Sequence, residues 1–181
     1  VAAVKTFDFS AQLAMSDTPA VAALVEPFLR RRFPGALSFR RATEANDRLG
    51  ADVMIEFPHC QHRFIDLKVR TTDFRAFNKA DIALEIWSNC ERNTPGWALD
   101  ESKVTDWILF VWMDTGRMLM VDARALRAVT KSNLPRWLRT EEQAAQRTAV
   151  GARSYSSTVV YVRTDELVGL VNRWQGLQQA A

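Results

Sequence analysis

Two short segments near the middle of the chain leave little freedom in how they fold. From Ala51 to Phe57 the residues read Ala-Asp-Val-Met-Ile-Glu-Phe, and from Arg63 to Arg70 they read Arg-Phe-Ile-Asp-Leu-Lys-Val-Arg. Side chains on a strand alternate between faces. Ala51, Val53, Ile55 and Phe57 therefore share one face, and Asp52, Met54 and Glu56 the other. In the second segment Ile65, Leu67 and Val69 share a face, opposite Phe64, Asp66, Lys68 and Arg70. Each segment reads as a strand with an apolar face and a charged one, joined by a turn from Pro58 to about Gln61.

If that turn centres near Cys60, antiparallel pairing sets Asp52 opposite Lys68 and Asp66 opposite Met54, diagonal to Asp52. Diagonal neighbours lie roughly 7–8 Å apart, so two carboxylates can converge on one cation. Mg²⁺ takes such oxygen ligands and keeps several waters. A lysine beside it can position a water or neutralise charge on a phosphate. A salt-bridge ladder on a solvated sheet face uses the same residue types at the same spacing. Spacing alone leaves both readings open.

The surrounding pattern is mixed. A first helix is expected to start at Ser16-Asp17-Thr18 with Pro19 in its first turn. Val21, Leu24, Val25, Phe28 and Leu29 share its apolar face, Pro27 should kink or shorten it, and Arg30 to Arg32 before Pro34-Gly35 end it. Further strands are expected over 36–42 and 82–88, with an irregular or helical piece over 73–80 and a loop over 89–101. Trp107–Met113 and Arg117–Asp122 form a hairpin around Asp114-Thr115-Gly116. Asp122 then caps a short helix through Val129, residues 135–147 read as helical, Tyr155–Val162 as a strand and Thr164–Trp174 as a helix. This predicts an α+β or mixed α/β fold, with a mostly antiparallel mixed sheet flanked by helices. At 181 residues, a single domain over 1–181 is expected.

Composition removes whole reaction classes. Seven glycines and no phosphate-cradling glycine string argue against dinucleotide and P-loop sites. The two histidines, His59 and His62, argue against Ser-His-Asp hydrolases, HExxH zinc chemistry and nucleases built on a histidine base. Catalysis here must rest on carboxylates, Lys or Arg. A zinc site from His59, Cys60, His62 and Cys90 matches no standard spacing. Nineteen Arg against five Lys favour phosphate recognition, because the guanidinium fork fits it, although GC-rich coding produces the same excess. No apolar run approaches the roughly 20 residues of a membrane span, and Val1–Ala14, with Lys5 and Asp8, makes a poor secretory leader. With only two cysteines, the expectation is a soluble cytoplasmic protein with no membrane partner.

The string Gly-Ala-Asp ending at Asp52, followed by Phe-Ile-Asp-Leu-Lys-Val-Arg from Phe64 to Arg70, resembles the signature of the PD-(D/E)XK nuclease superfamily, most closely its small phage- or prophage-type members. The likeness extends through Asp81–Asn89 and Gly96–Trp112 and covers about residues 19–125, while 130–181 carries no motif. It implies a restriction-endonuclease-like core in which Asp52 and Asp66 hold Mg²⁺ or Mn²⁺ and Lys68 stands beside the attacking water. Ala51 occupies the place of the proline in the superfamily name, and Asp66 replaces the more frequent Glu. Glu26 matches an extra acid that many members place on the first helix. Glu44 and Asp47 suit the same role or a turn, and Glu85, flanked by apolar residues, needs an Arg or a metal as partner. Arg70, Arg75, Lys79 and Lys103 are candidate DNA-phosphate contacts because they lie just past the motif strands. Trp107, Phe110 and Trp112 read as packing. The implied activity is that of a metal-dependent DNA endonuclease, with a homodimer in keeping with how many such small nucleases cut duplexes. A nuclease fold without turnover, serving as a DNA-binding module or as a phage regulatory or inhibitor protein, is the alternative.

Overall fold

The computed structural model describes residues 5–8, 18–150 and 153–179. Along the chain the elements are β1 (Lys5–Asp8), α1 (Pro19–Arg32), β2 (Ser38–Arg41), α2 (Glu44–Arg48), β3 (Val53–Phe57), β4 (Gln61–Arg70), β5 (Ile82–Asn89) and β6 (Thr94–Pro95). They continue with β7 (Trp107–Trp112), β8 (Arg117–Asp122), α3 (Ala123–Thr140), β9 (Gln143–Val150), β10 (Arg153–Val162) and α4 (Thr164–Gln179). Short 3-10 turns occupy Pro58–Cys60 and Phe74–Phe77. The class is mixed α and β, as expected, with two five-stranded sheets in place of one central sheet. The chain divides into two compact units. Leu13–Asp73 with Ser102–Ala123 forms the motif unit; Val1–Gln12, Phe74–Glu101 and Arg124–Ala181 form the other.

In the motif unit the strand order is β2–β3–β4–β7–β8, antiparallel except for the parallel pair β4 and β7. Helix α1 begins where the sequence signals it: Thr18 is the N-cap and its Oγ1 accepts the Val21 N–H at 3.3 Å. Pro27 does not end the helix, which runs on to Arg32. The carbonyl that Pro27 leaves without a donor belongs to Ala23, which is exposed to water. Val21, Val25 and Leu29 bury against Ile55 of β3, Ile65, Leu67 and Val69 of β4, and Leu109 and Val111 of β7. The apolar faces read from the alternation thus meet one helix. Asp66, Lys68 and Arg70 are carried on the opposite face of β4.

In the other unit the order is β1–β9–β10–β5–β6, with only β1 and β9 parallel. Here the expected short helix and the 135–147 helix are corrected. One helix, α3, passes through Pro135 to Thr140, and β9 occupies 143–150. Pro135 is exposed, so the break in the hydrogen-bond ladder faces water. The expected loop over 89–101 contains the short strand β6. The Asp81 carboxylate caps α4, accepting the Thr164 N–H at 3.0 Å and the Thr164 hydroxyl at 2.6 Å. Trp137 Nε1 donates to Glu166 at 2.8 Å, tying α3 to α4.

Among the described glycines, Gly96 makes the tightest backbone approach. Its N–H donates to the Ile86 carbonyl at 2.8 Å, and a Cβ on it would lie 2.2 Å from the Glu85 carbonyl oxygen. Gly96→Ala is expected to lower stability by roughly 1–3 kcal/mol through this overpacking. Gly35→Ala, with nothing within 4 Å of its added methyl, should stay within about 0.5 kcal/mol of wild type. Urea denaturation of the two variants checks this, and equal midpoints would contradict the close packing.

Candidate active site

Asp52 is placed by the segment before it. Thr43 caps α2, accepting the Asn46 N–H at 3.4 Å, and the helix closes within a turn as Gly50 N–H donates to the Asp47 carbonyl at 2.8 Å. Gly50 has φ +84°, a conformation that side chains resist, and a Cβ there would lie 2.9 Å from Lys103 Cδ. Thr105 Oγ1 donates to the Gly50 carbonyl, and Lys103 Nζ donates to the Arg48 carbonyl at 3.1 Å. The backbone N–H of Asp52 then donates to the Ile65 carbonyl at 2.8 Å. Its carboxylate Oδ2 accepts the Leu67 N–H at 2.6 Å.

Lys68 Nζ lies 2.7 Å from Asp66 Oδ1, and Arg41 Nη1 lies 3.8 Å from Asp52 Oδ1. Asp52 is 9% exposed, Asp66 5%, and the Lys68 side chain 21%. A solvated ladder would leave these groups open to water. Burial raises the Asp52 carboxyl from its ordinary 3.8 to about 6, and the negative charge of Asp66 adds to the rise. Lys68, the Leu67 N–H and Arg41 offset it only in part. The cluster is therefore an electrostatically loaded pair of acids, a common mark of functional sites.

The register differs from expectation. Phe57 pairs with Gln61 and Val53 with Ile65, so the ladder continued by one residue would set Asp52 level with Asp66, where Lys68 was expected. Phe64, not Asp66, lies opposite Met54. The cause is the turn, which is centred on His59, with left-handed φ of 63° at His59 and 57° at Cys60. The slip moves pairing by two residues along β4, and because strand faces repeat every two residues, Asp66 and Lys68 keep their face.

The other candidate acids make other contacts or serve backbone roles. Glu26 is on α1, which packs on the sheet face that Leu67 points to; it is exposed and bonded to Arg30 at 2.6 and 2.9 Å. Glu44 pairs with Arg48 along α2, and Asp47 builds the turn into Gly50 through its carbonyl. Glu85 belongs to the other unit, where its carboxylate accepts the Trp97 N–H at 3.5 Å. Among the cations, Arg70 ends β4 and Lys103 braces α2, while Arg75 and Lys79 lie exposed in the other unit. Cys60 and Cys90 are free thiols. Among the described residues no three His, Cys, Asp or Glu side chains gather as a metal-holding group, and no helix is long and apolar enough to cross a membrane.

Sequence reasoning missed Arg41 and the Leu67 N–H. Arg41 pairs with Val53 across β2 and β3, next to Asp52, so the pairing of 38–41 with 53–56 was the signal that could have found it. No protein-family model matches the chain, and neither the curated proteins nor the solved structures contain a significant match.

The raised Asp52 carboxyl has a stability consequence. Between about pH 4 and 6 the native state holds a proton that the unfolded chain has released, so stability falls as pH rises through this window. The loss approaches roughly 3 kcal/mol above it. Asp52→Asn keeps an acceptor for Leu67 N–H without the charge. In EDTA it should melt above wild type at pH 8 and level with it at pH 4. Thermal melts across that range check this, and a variant less stable at pH 8 would mean that the charge stabilises the fold.

Proposed function

We propose that the motif unit is the catalytic core of a metal-dependent DNA endonuclease of the PD-(D/E)XK type, hydrolysing phosphodiester bonds. The observation that carries this reading is the burial of Asp52 beside Asp66, with the Lys68 ammonium 2.7 Å from the Asp66 carboxylate. A helix followed by three antiparallel strands, with Asp52 at the head of β3 and Asp66 and Lys68 on β4, also supports a restriction-endonuclease-like core.

The donor set suits a hard divalent cation. Mg²⁺ is commonly held by one or two carboxylates, with waters and substrate phosphate completing its shell. Asp52 and Asp66 supply two such groups; burial first, and then repulsion from Asp66, raises Asp52, and a divalent charge would relieve that repulsion. When bound, Mg²⁺ or Mn²⁺ would polarise the scissile phosphate and acidify a water. Leu67 N–H fixes the orientation of the Asp52 carboxylate. Asp66 anchors the Lys68 ammonium, whose charge would orient a water or stabilise charge on a phosphate oxygen. Both anchoring bonds use groups on β4, so the catalytic groups move as one strand.

Wild type is expected to cleave DNA in Mg²⁺ or Mn²⁺ and not in EDTA, tested on linear, branched and single-stranded substrates. Asp66→Asn and Lys68→Gln should each lose about 10²-fold or more of that activity. Mn²⁺ at pH 8 should raise the wild-type melting temperature and barely move that of Asp52→Asn, because bound ligand stabilises only the competent native state. Folded wild type with neither cleavage nor a Mn²⁺ shift would favour the inactive alternative.

A further inference from the structure

The 3-10 turn Phe74–Phe77 presents two aromatic rings to solvent. Phe74 is 48% exposed and Phe77 64%, against the general tendency of large aromatics to be buried. Side chains three apart on a 3-10 turn eclipse one another, and the two ring centroids lie 6.4 Å apart at an interplanar angle of 53°. Arg75 and Lys79 are exposed in the same stretch, and every residue from Phe74 to Lys79 is exposed.

The turn is a built structure. Asn78 N–H donates to the Arg75 carbonyl at 3.0 Å and Lys79 N–H to the Phe74 carbonyl at 3.2 Å. Asn78 takes the left-handed conformation, φ 57°, and its amide oxygen accepts Arg163 Nη1 at 3.1 Å. Arg163 in turn pairs with Asp165 at 3.3 Å, so the turn is tied to the start of α4. Holding two apolar rings in water gains nothing for the fold. A partner with flat π-faces and negative charge repeated along its length would use both the rings and the cations.

We propose that Phe74 and Phe77 form a stacking platform for unpaired bases, with Arg75 and Lys79 contacting the flanking phosphates. Base-on-aromatic stacking is tolerant of sequence, because every base has a π-face, and it requires bases not already stacked in a duplex. The ring separation is roughly twice the 3.4 Å repeat of stacked bases, so a rotation about the side-chain torsions lets one base enter between the rings. This inference rests on the nucleic-acid reading above and narrows it to DNA with single-stranded character.

The test uses the whole chain with Ca²⁺ replacing Mg²⁺ and a short oligothymidylate, a matched duplex, and a strand carrying 2-aminopurine. Phe74→Ala and Phe77→Ala should each weaken single-strand binding by roughly 5- to 150-fold. They should leave the salt slope unchanged and abolish the quenching of 2-aminopurine fluorescence, and Phe77→Tyr should restore both signals. Arg75→Ala with Lys79→Ala should instead lower the slope magnitude by about 1.4, at roughly 0.7 per single-strand phosphate contact. Phenylalanine variants that bind single strands as wild type does would overturn the platform while leaving the nuclease reading intact, since Mn²⁺-dependent cleavage tests that separately. Wild type that binds no oligonucleotide but binds vesicles rich in anionic lipid through these rings would overturn it in favour of a membrane surface.

Discussion

A backbone N–H inside a sheet must find an acceptor, and for Leu67 that acceptor is the Asp52 carboxylate, at 2.6 Å. Much of the motif unit follows from this bond. It forms where β3 begins at Val53, so the side chain of the preceding residue takes up a donor just beyond the Val53–Ile65 pair that ends the ladder. Asp52 cannot swing out to water without leaving that donor unpaired in the interior. The Leu67 side chain, meanwhile, is packed in the cluster with Val21, Val25 and Leu29 of α1. One residue therefore joins the apolar core to the acidic pair through its two ends, and the position of Asp52 is set by how well α1 packs.

The same device recurs along the strand. At the start of β4 the Asp106 carboxylate accepts the Phe64 N–H at 2.7 Å. Just past its end Asp114 accepts the Asp73 N–H at 2.9 and 3.1 Å, and Asp73 forms a buried ion pair with Arg117 at 2.6 Å. The Arg117 guanidinium lies 3.4 Å from the centre of the Trp112 ring, which holds its plane while both nitrogens serve Asp73. Three carboxylates from outside β4 thus hold three of its flanking or internal donors with charge-assisted bonds. Asp106 and Asp73 have partners of opposite charge in Arg63 and Arg117. Asp52 lies 3.8 Å from Arg41 and feels the charges of both Asp66 and Lys68, which are bonded to each other. Of the three acceptors Asp52 is the buried one, and it lies beside a second buried carboxylate, Asp66.

The parts of this arrangement legible in the sequence were those governed by local periodicity. Alternation from Ala51 to Phe57 and from Phe64 to Arg70 assigned the faces correctly, and they survived the wrong register because a two-residue slip preserves them. Thr18-Pro19 marked the start of α1 because capping is local chemistry. Pro27 does not stop α1 because the carbonyl it frees, on Ala23, meets water, and which helix face is exposed is not a local property. Strand β9 was hidden for a related reason. Gln143 to Val150 carries no alternating pattern, and its pairing with β1 and β10 comes from distant segments.

Burial of the acidic pair was not legible either, and it carries more functional weight than the motif spelling. Alternation says that Asp52, Asp66 and Lys68 avoid the face packed on α1; it does not say that their own face is dry. On a wet face the pair would be a ladder worth little, since solvent screens exposed ions and a carboxylate there titrates near its ordinary value. On a covered face the same three residues leave more negative than positive charge with little water to disperse it. Such a net charge lowers stability, and apolar residues of similar volume would often do better. A chain that folds around an arrangement of this kind has given up stability at that point, and that cost is what the proposed divalent cation would offset.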